Sequence, residues 1–318
     1  MDDFPKKLRE KLSERAANNA LRKLSISHIP IDFSSNDYLG FAKDDNIFKS
    51  ASELLKERNY TLNGATGSRL LSGNNILFET LENALESFHD CSAALVFNSG
   101  YDANLGLFGS VPQRGDIILY DELIHASIRD GIGMSNAKAY KFKHNDLFDV
   151  KRLLELNRTD ESEVYVVTES VFSMDGDSPD LLGFVQLCQD NNCRLIVDEA
   201  HAVGVFGASG VGLVQELGLQ QHVFGRIVTF GKAIGCHGAA VLGSETLKQY
   251  LINFARSFIY TTGMPPHSLA TILMAYQELS RTACLEGLRG NIVYFREQLA
   301  LHKLNFIESH SAIQCCVI

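Results

Sequence analysis

The residue best placed for covalent chemistry in this chain is a lysine that closes a buried strand. Ile227 to Phe230 is a short apolar run of strand formers that stops at Gly231-Lys232. Burial disfavours a lysine's charge and lowers its pKa, and the free amine can then attack a carbonyl carbon to give a Schiff base. Glycines at 235 and 238 would leave room for something flat against the backbone. Alone, a Gly-Lys pair is more often a strand end with its lysine in water, so its companions have to decide.

Four companions stand at other strand ends. Asp198-Glu-Ala-His201 follows the strand read at 194–197. A carboxylate ending a buried strand is costly unless a cation faces it, and either an arginine or a protonated pyridine nitrogen would serve. His201 lies within reach of a ring substituent. His125 opens the helix after strand 116–120, where it either caps that helix or presents its ring to a flat ligand. Ser99-Gly100-Tyr101 starts the helix after strand 93–97, as a plain cap or as a phosphate cradle on N–H groups and helix dipole. The polar loop Glu169–Ser178 either reaches the site or caps the next helix.

Other chemistries fail on spacing. Asp-Glu-Ala-His also spells a helicase motif, but Gly225 to Gly231 has the wrong interval for a phosphate loop and Lys232 is followed by Ala233, not Ser or Thr. Gly131-Ile-Gly133-Met-Ser-Asn136 lacks the third glycine of a dinucleotide fingerprint and follows no strand. No His/Cys spacing fits zinc, and no metal is expected. A lysine, a strand-end acid, a ring-facing histidine and a phosphate-suited helix start together meet the needs of pyridoxal 5'-phosphate.

The elements that must hold these residues alternate. Helices are predicted at 44–58, 75–89, 101–110, 125–135, 146–156 and 180–191. Strands are predicted at 93–97, 116–120, 138–142, 163–168 and 194–198. The strands are rich in Val, Ile and Leu without strict alternation, as in a parallel sheet covered on both faces. Ligands of such sheets bind at the carboxyl ends of the strands. Residues 2–23 read as a helix and Ile31–Phe33 as a short strand. From 244 the pattern is mainly helical, with 268–281 and 283–303 clearest, and Ala312–Ile318 reads as a strand just begun. The expected division is an N-terminal helix and arm (1–43), a large cofactor-binding domain (44–243) and a smaller, incomplete C-terminal α+β domain (244–318).

Composition is that of an ordinary globular protein, with 45% hydrophobic and 21% charged residues among 318. A net charge of −9 argues against a general basic surface for nucleic acid. Seven cysteines without a CxxC pair read as reduced thiols. With no apolar signal core and no run long enough to span a membrane, a cytoplasmic location is expected.

In order along the chain, Ser35-Asn-Asp-Tyr-Leu-Gly40, Gly67-Ser-Arg-Leu-Leu-Ser-Gly73, Ser99-Gly-Tyr-Asp-Ala-Asn104, Val171-Phe-Ser-Met-Asp-Gly-Asp177, Asp198-Glu-Ala-His201 and Thr229-Phe-Gly-Lys232 resemble the signatures of the α-oxoamine synthases, pyridoxal-phosphate enzymes of fold type I. The resemblance implies that Lys232 carries the cofactor, Asp198 pairs with its ring nitrogen, His201 bonds the ring oxygen and His125 stacks on the ring. It implies cofactor contacts for Ser173, and for Ser99, Gly100, Tyr101 and Thr229 on the phosphate side. Arg22 and Asn36 would meet substrate, with His125. Tyr260-Thr261-Thr262 is similar to the segment a partner subunit lends to the site, which implies a homodimer. Phe230 and Gly238-Ala-Ala are most similar to the member that joins L-alanine to a pimeloyl thioester, on CoA or a carrier protein, in biotin biosynthesis. The close alternatives are members of the glycine C-acetyltransferase, 5-aminolevulinate synthase or serine palmitoyltransferase type. Relatives continue for tens of residues past Ser311–Gln314 and supply an arginine there for the amino-acid carboxylate. The resemblance therefore also implies a chain that recognises the cofactor but catalyses poorly, or a cofactor-bound partner subunit.

Overall fold

The computed structural model describes residues 4–24 and 31–317. Contacts separate residues 1–35 from 36–318. In the first unit, α1 (Lys6–Ala17) buries none of its side chains. It is shorter than the predicted 2–23 because Asn18 caps it and Asn19 turns to φ 52°; residues 2 and 3 lie outside the described ones. The strand expected at Ile31–Phe33 does not form. Asp32 Oδ1 instead accepts from the Ser34 and Ser35 amides at 2.9 and 3.0 Å, a local bond that competes with strand pairing.

The second unit is built on a seven-stranded sheet. Its strands are β1 (Ala93–Phe97), β2 (Ile117–Asp121), β3 (Lys138–Phe142), β4 (Val164–Glu169), β5 (Arg194–Asp198), β6 (Gly225–Thr229) and β7 (Ala239–Gly243). They lie in the order β1-β7-β6-β5-β4-β2-β3. Only β7 runs against the rest, pairing antiparallel with both β6 and β1. The fold is thus the expected α/β type with a mostly parallel sheet, but β7 has no counterpart in the sequence reading. Its small residues follow Gly238 directly, so Ala239–Gly243 looks like loop until Phe230 N meets Gly238 O at 2.9 Å and closes the hairpin. Gly235 makes that turn possible. It sits at φ 65°, and a Cβ there would stand 2.2 Å from the Ala42 amide, so its bareness serves chain packing, not a ligand.

Helices cover both faces. Alternate residues of β1, β6 and β7 point to opposite sides: Val96, Val228 and Leu242 pack with α2 (Asp45–Glu57), α3 (Ile76–His89) and α11 (Pro266–Leu279). Phe97, Ile227 and Val241 pack with α4 (Gly100–Ser110), α5 (Ala126–Met134) and α9 (Glu245–Phe254). Under β2, β4 and β5 the first face continues with α6 (Leu147–Asn157) and α7 (Leu181–Asp190). Short helices α8 (Leu213–Glu216) and α10 (Arg256–Ile259) and the long α12 (Cys284–Leu301) complete the set. No strand forms at 312–317. A lone antiparallel bridge joins Phe306 to Cys316, while the Ser309 and Ser311 hydroxyls donate to Gly176 O at 2.7 and 3.1 Å. Among the described residues no helix is long and apolar enough to cross a membrane.

Candidate active site

The carboxyl ends of β4, β5 and β6 and the first turns of α4 and α5 enclose a cavity of about 230 Å³. Its walls include Ser99, Gly100, Tyr101, His125, Asp198, His201, Thr229 and Lys232, so eight of the residues singled out from sequence meet in one place. The physical cause is the parallel sheet: every strand delivers its next loop to the same edge.

Each side chain is held by its own element. Ser99 caps α4, its Oγ accepting from the Asp102 amide at 3.0 Å. The Gly100 and Tyr101 amides have no partner within the helix, because the first turn of any helix leaves its N–H groups open. Gly100 must be bare, since a Cβ would come within 2.7 Å of Thr229 Cγ2. The Tyr101 side chain turns away to bond Asp130 on α5. His125 caps α5 through Nδ1, which meets the Ser127 amide at 3.2 Å and Ser127 Oγ at 2.7 Å. Capping and facing the cavity are therefore compatible for this ring.

Asp198 ends β5 and is 5% exposed. Its oxygens accept from Ala200 N at 2.9 Å and Asn104 Nδ2 at 3.1 Å. Burial pushes its carboxyl up, opposed by Asn104, the Ala200 amide and the charges of His125 and Lys232. Burial lowers the Lys232 amine, opposed by Asp198 and Glu169. His201 is pushed down to about 3 by burial, then by Lys232 and His125, so its imidazole is neutral. Its Nδ1 meets Tyr38 OH at 2.8 Å, and Tyr38 in turn donates to Asn36 Oδ1 at 3.2 Å.

The other predicted residues lie elsewhere. Asn36 is exposed, does not line the cavity and accepts from Tyr38, which bonds the cavity residue His201. Ser173 is half-buried on the loop after β4 and does not line the cavity. Thr261 and Thr262 follow α10, where Asn98 Nδ2 donates to Thr261 Oγ1 at 3.1 Å and to Thr262 O at 2.8 Å, again off the cavity. Arg22 belongs to the separate first unit.

Sequence reasoning gives no role to Asn104, Ser127 and His237 in the cavity wall or to Tyr38 behind His201, and leaves open whether Glu169, which does line the cavity, reaches the site. Asn104 and Ser127 sit one helical turn and two residues beyond residues that were noticed. Glu169 stays undecided there because the predicted strand ends one residue before it. Of the eight buried side-chain atoms without a partner among the described residues, two belong to the cavity wall: Thr229 Oγ1 and Asn104 Oδ1. Buried polar atoms are nearly always bonded. The unpartnered Thr229 hydroxyl, beside open helix amides, is a donor that a phosphorylated ligand would satisfy.

Comparison with known proteins agrees with this geometry. The model of the aminotransferase class I and II family matches residues 28–318. The 8-amino-7-oxononanoate synthase of Emericella nidulans is 42% identical, aligned over 94% of this chain and 78% of its own length. That of Geotalea daltonii is 40% identical over 88% of this chain and 71% of its own. The chain belongs to the class I and II aminotransferase family, among its 8-amino-7-oxononanoate synthase-like α-oxoamine synthases. This is a family of pyridoxal-phosphate-dependent enzymes, here of the acyltransferase type. Among solved structures, a Sphingomonas wittichii serine palmitoyltransferase superposes with TM-score 0.91 at 26% identity, covering 99% of this chain and 83% of its own. The Francisella tularensis 8-amino-7-oxononanoate synthase gives 0.76 at 29%, covering 91% and 81%. A serine palmitoyltransferase from S. paucimobilis, solved with pyridoxal phosphate and myriocin, gives 0.88 at 26%, covering 98% and 84%.

Proposed function

We propose that this protein is a pyridoxal-phosphate-dependent acyltransferase that condenses L-alanine with a pimeloyl thioester, losing carbon dioxide and yielding 8-amino-7-oxononanoate. The observation that carries the reading is the meeting of Lys232 and Asp198, a lysine and a buried acid from adjacent strand ends, in one cavity with His125, His201 and the open start of α4. The relatives' shared name supplies the reaction.

Lys232 would hold the cofactor through its amine, and Asp198 would keep a proton on the ring nitrogen. His125 and His201 would contact the ring and its oxygen. The Gly100 and Tyr101 amides, with Ser99 and the unpartnered Thr229 hydroxyl, would take the phosphate. When bound, the cofactor supplies an electron-accepting ring that stabilises negative charge at the amino acid's α-carbon. The Lys232 amine would take the α-proton of the bound amino acid, and burial helps by favouring its uncharged form. Ser173, Asn36 and Arg22 are proposed as outlying contacts of cofactor and substrate. The reading includes a homodimer in which Thr261 and Thr262 serve the neighbouring copy's cavity. In support, neither lines the cavity of its own chain, and both are fixed by Asn98.

The test is direct. Purified protein given pyridoxal phosphate develops a visible absorbance band, and with alanine and pimeloyl-CoA it releases CoA and carbon dioxide. Glycine and serine, each offered with acetyl-, succinyl- and palmitoyl-CoA, react more slowly. A protein that stays colourless ends the cofactor assignment. Faster turnover of serine with palmitoyl-CoA transfers the assignment to the serine palmitoyltransferase type.

A further inference from the structure

Glu169 is the cavity residue for which the chemistry above has no use. It ends β4 and is 3% exposed. It stands in register with Asp198 on the neighbouring strand. Its Oε1 accepts from the His125 amide. Its Oε2 has no hydrogen-bond partner among the described residues, and the side chain borders the cavity. Two buried carboxyls therefore face a region holding the Lys232 amine, the rings of His125 and His237 and a neutral His201.

Charge balance decides how the two acids divide. Two adjacent carboxylates in a low-dielectric site disfavour each other's ionised form, and a proton held on one of them relieves the repulsion. Asp198 accepts two hydrogen bonds, from Ala200 N and Asn104 Nδ2, and these favour its anion. Glu169 accepts one. Asp121, on the other strand beside β4, adds a second acid to its surroundings. Burial first, and then Asp198, push the Glu169 carboxyl well above the usual range, with the His125 amide and Lys232 opposing and Asp121 adding to the rise.

We propose that Glu169 stands in the cavity as a neutral carboxylic acid, anchored through Oε1 to the His125 amide and offering the O–H of Oε2 as a hydrogen-bond donor to an anionic oxygen of the bound ligand. Only the ligand's identity rests on the functional reading above. The arrangement pairs an ionised acid for a protonated nitrogen with a neutral acid for a negative oxygen, one on each of two adjacent strands. A hydroxyl fixed in this way needs no reorganisation as charge develops.

Infrared difference spectra of the protein as purified, taken at neutral pH against Glu169→Gln, test the protonation state itself. A carbonyl stretch of a protonated carboxyl should be present in the wild type and missing from the variant. Its absence from the wild type overturns the proposal. Stability gives a second readout. A folded state that keeps a proton the unfolded chain releases loses stability as pH rises through the ordinary glutamate range. Glu169→Gln should therefore raise the melting temperature more at pH 8 than at pH 5, and an equal shift at both would overturn the proposal. In turnover, Gln keeps a neutral donor and Ala does not. Glu169→Gln is expected to lose about threefold and Glu169→Ala about 30-fold or more, in line with loss of one donor to a charged oxygen. Equal losses would mean that the carboxylate form acts. A protein that shows the infrared band but condenses no amino acid would end the functional reading and leave the state of Glu169 standing.

Discussion

Asp198 and Glu199 are neighbours in sequence, both buried and both with carboxyls pushed up by burial, yet they face opposite surroundings. Glu199 is closed in. Its carboxylate meets Arg226 NH1 at 3.5 Å and accepts from the Val214 amide at 2.9 Å. Arg226, 1% exposed, also donates to His89 O, and His89 bonds Tyr276 OH at 3.0 Å. Asp198 instead opens on a cavity with a partly exposed lysine, a second acid and two orphaned polar atoms. Buried charge is thus not by itself a sign of function. What distinguishes the two places is whether the protein finishes its own hydrogen bonding.

The contrast can be broken from either side. Lys232→Ala should cause the largest loss, about 10³-fold or more in turnover, with little change in the urea midpoint of the cofactor-free protein. Glu199→Gln should do the reverse. Removing one partner of a buried pair costs about 3–5 kcal/mol, read as a lower urea midpoint, while whatever protein remains folded still binds cofactor. Asp198→Asn should cost about 10²-fold in turnover, comparable with losing one electrostatic stabiliser of the reacting charge. Its effect on unfolding should be far smaller than that of Glu199→Gln. If the two variants destabilise equally, the distinction between open and closed charge fails.

Acid titration sharpens it further. His201 and His89 each have a folded pKa pushed down to about 3, below the ordinary 6.5. Their contribution is therefore fully present above pH 6.5 and fades as pH falls from there toward about 3. His201→Asn removes one of the two titrating rings, so its urea midpoint should fall less steeply on acidification. The smallest effect is expected from Tyr38→Phe. Losing one neutral hydrogen bond to His201 costs about 1 kcal/mol, read as a severalfold loss in turnover at unchanged fold.

The site was legible where chemistry and strand ends coincide. Lys232, Asp198, His201 and His125 follow apolar runs abruptly, and a parallel sheet gathers whatever follows such runs. Glu169 is the last residue of β4, one beyond the predicted end of that strand, and so reads from sequence as the first residue of a polar loop. Asn104 and Ser127 lie inside helices, where a single polar residue on a buried turn gives no spacing signal. Strand β7 was invisible for a related reason: Ala239 and Ala240 carry no strand preference, and only pairing with β6 and β1 makes them one. The unformed strands at 31–33 and 312–317 show the converse, that apolar and β-branched residues stay irregular where no strand pairs with them.

The two serine hydroxyls that grip Gly176 O lie far along the chain from the loop they hold. That loop also carries Ser173, which is half-buried. The tail beyond α12 therefore works as a fastener on the segment that leads out of β4. Substitutions at Ser309 and Ser311 should thus loosen the loop that carries Ser173, read as faster proteolysis there, while leaving the lysine and its facing acid where they are.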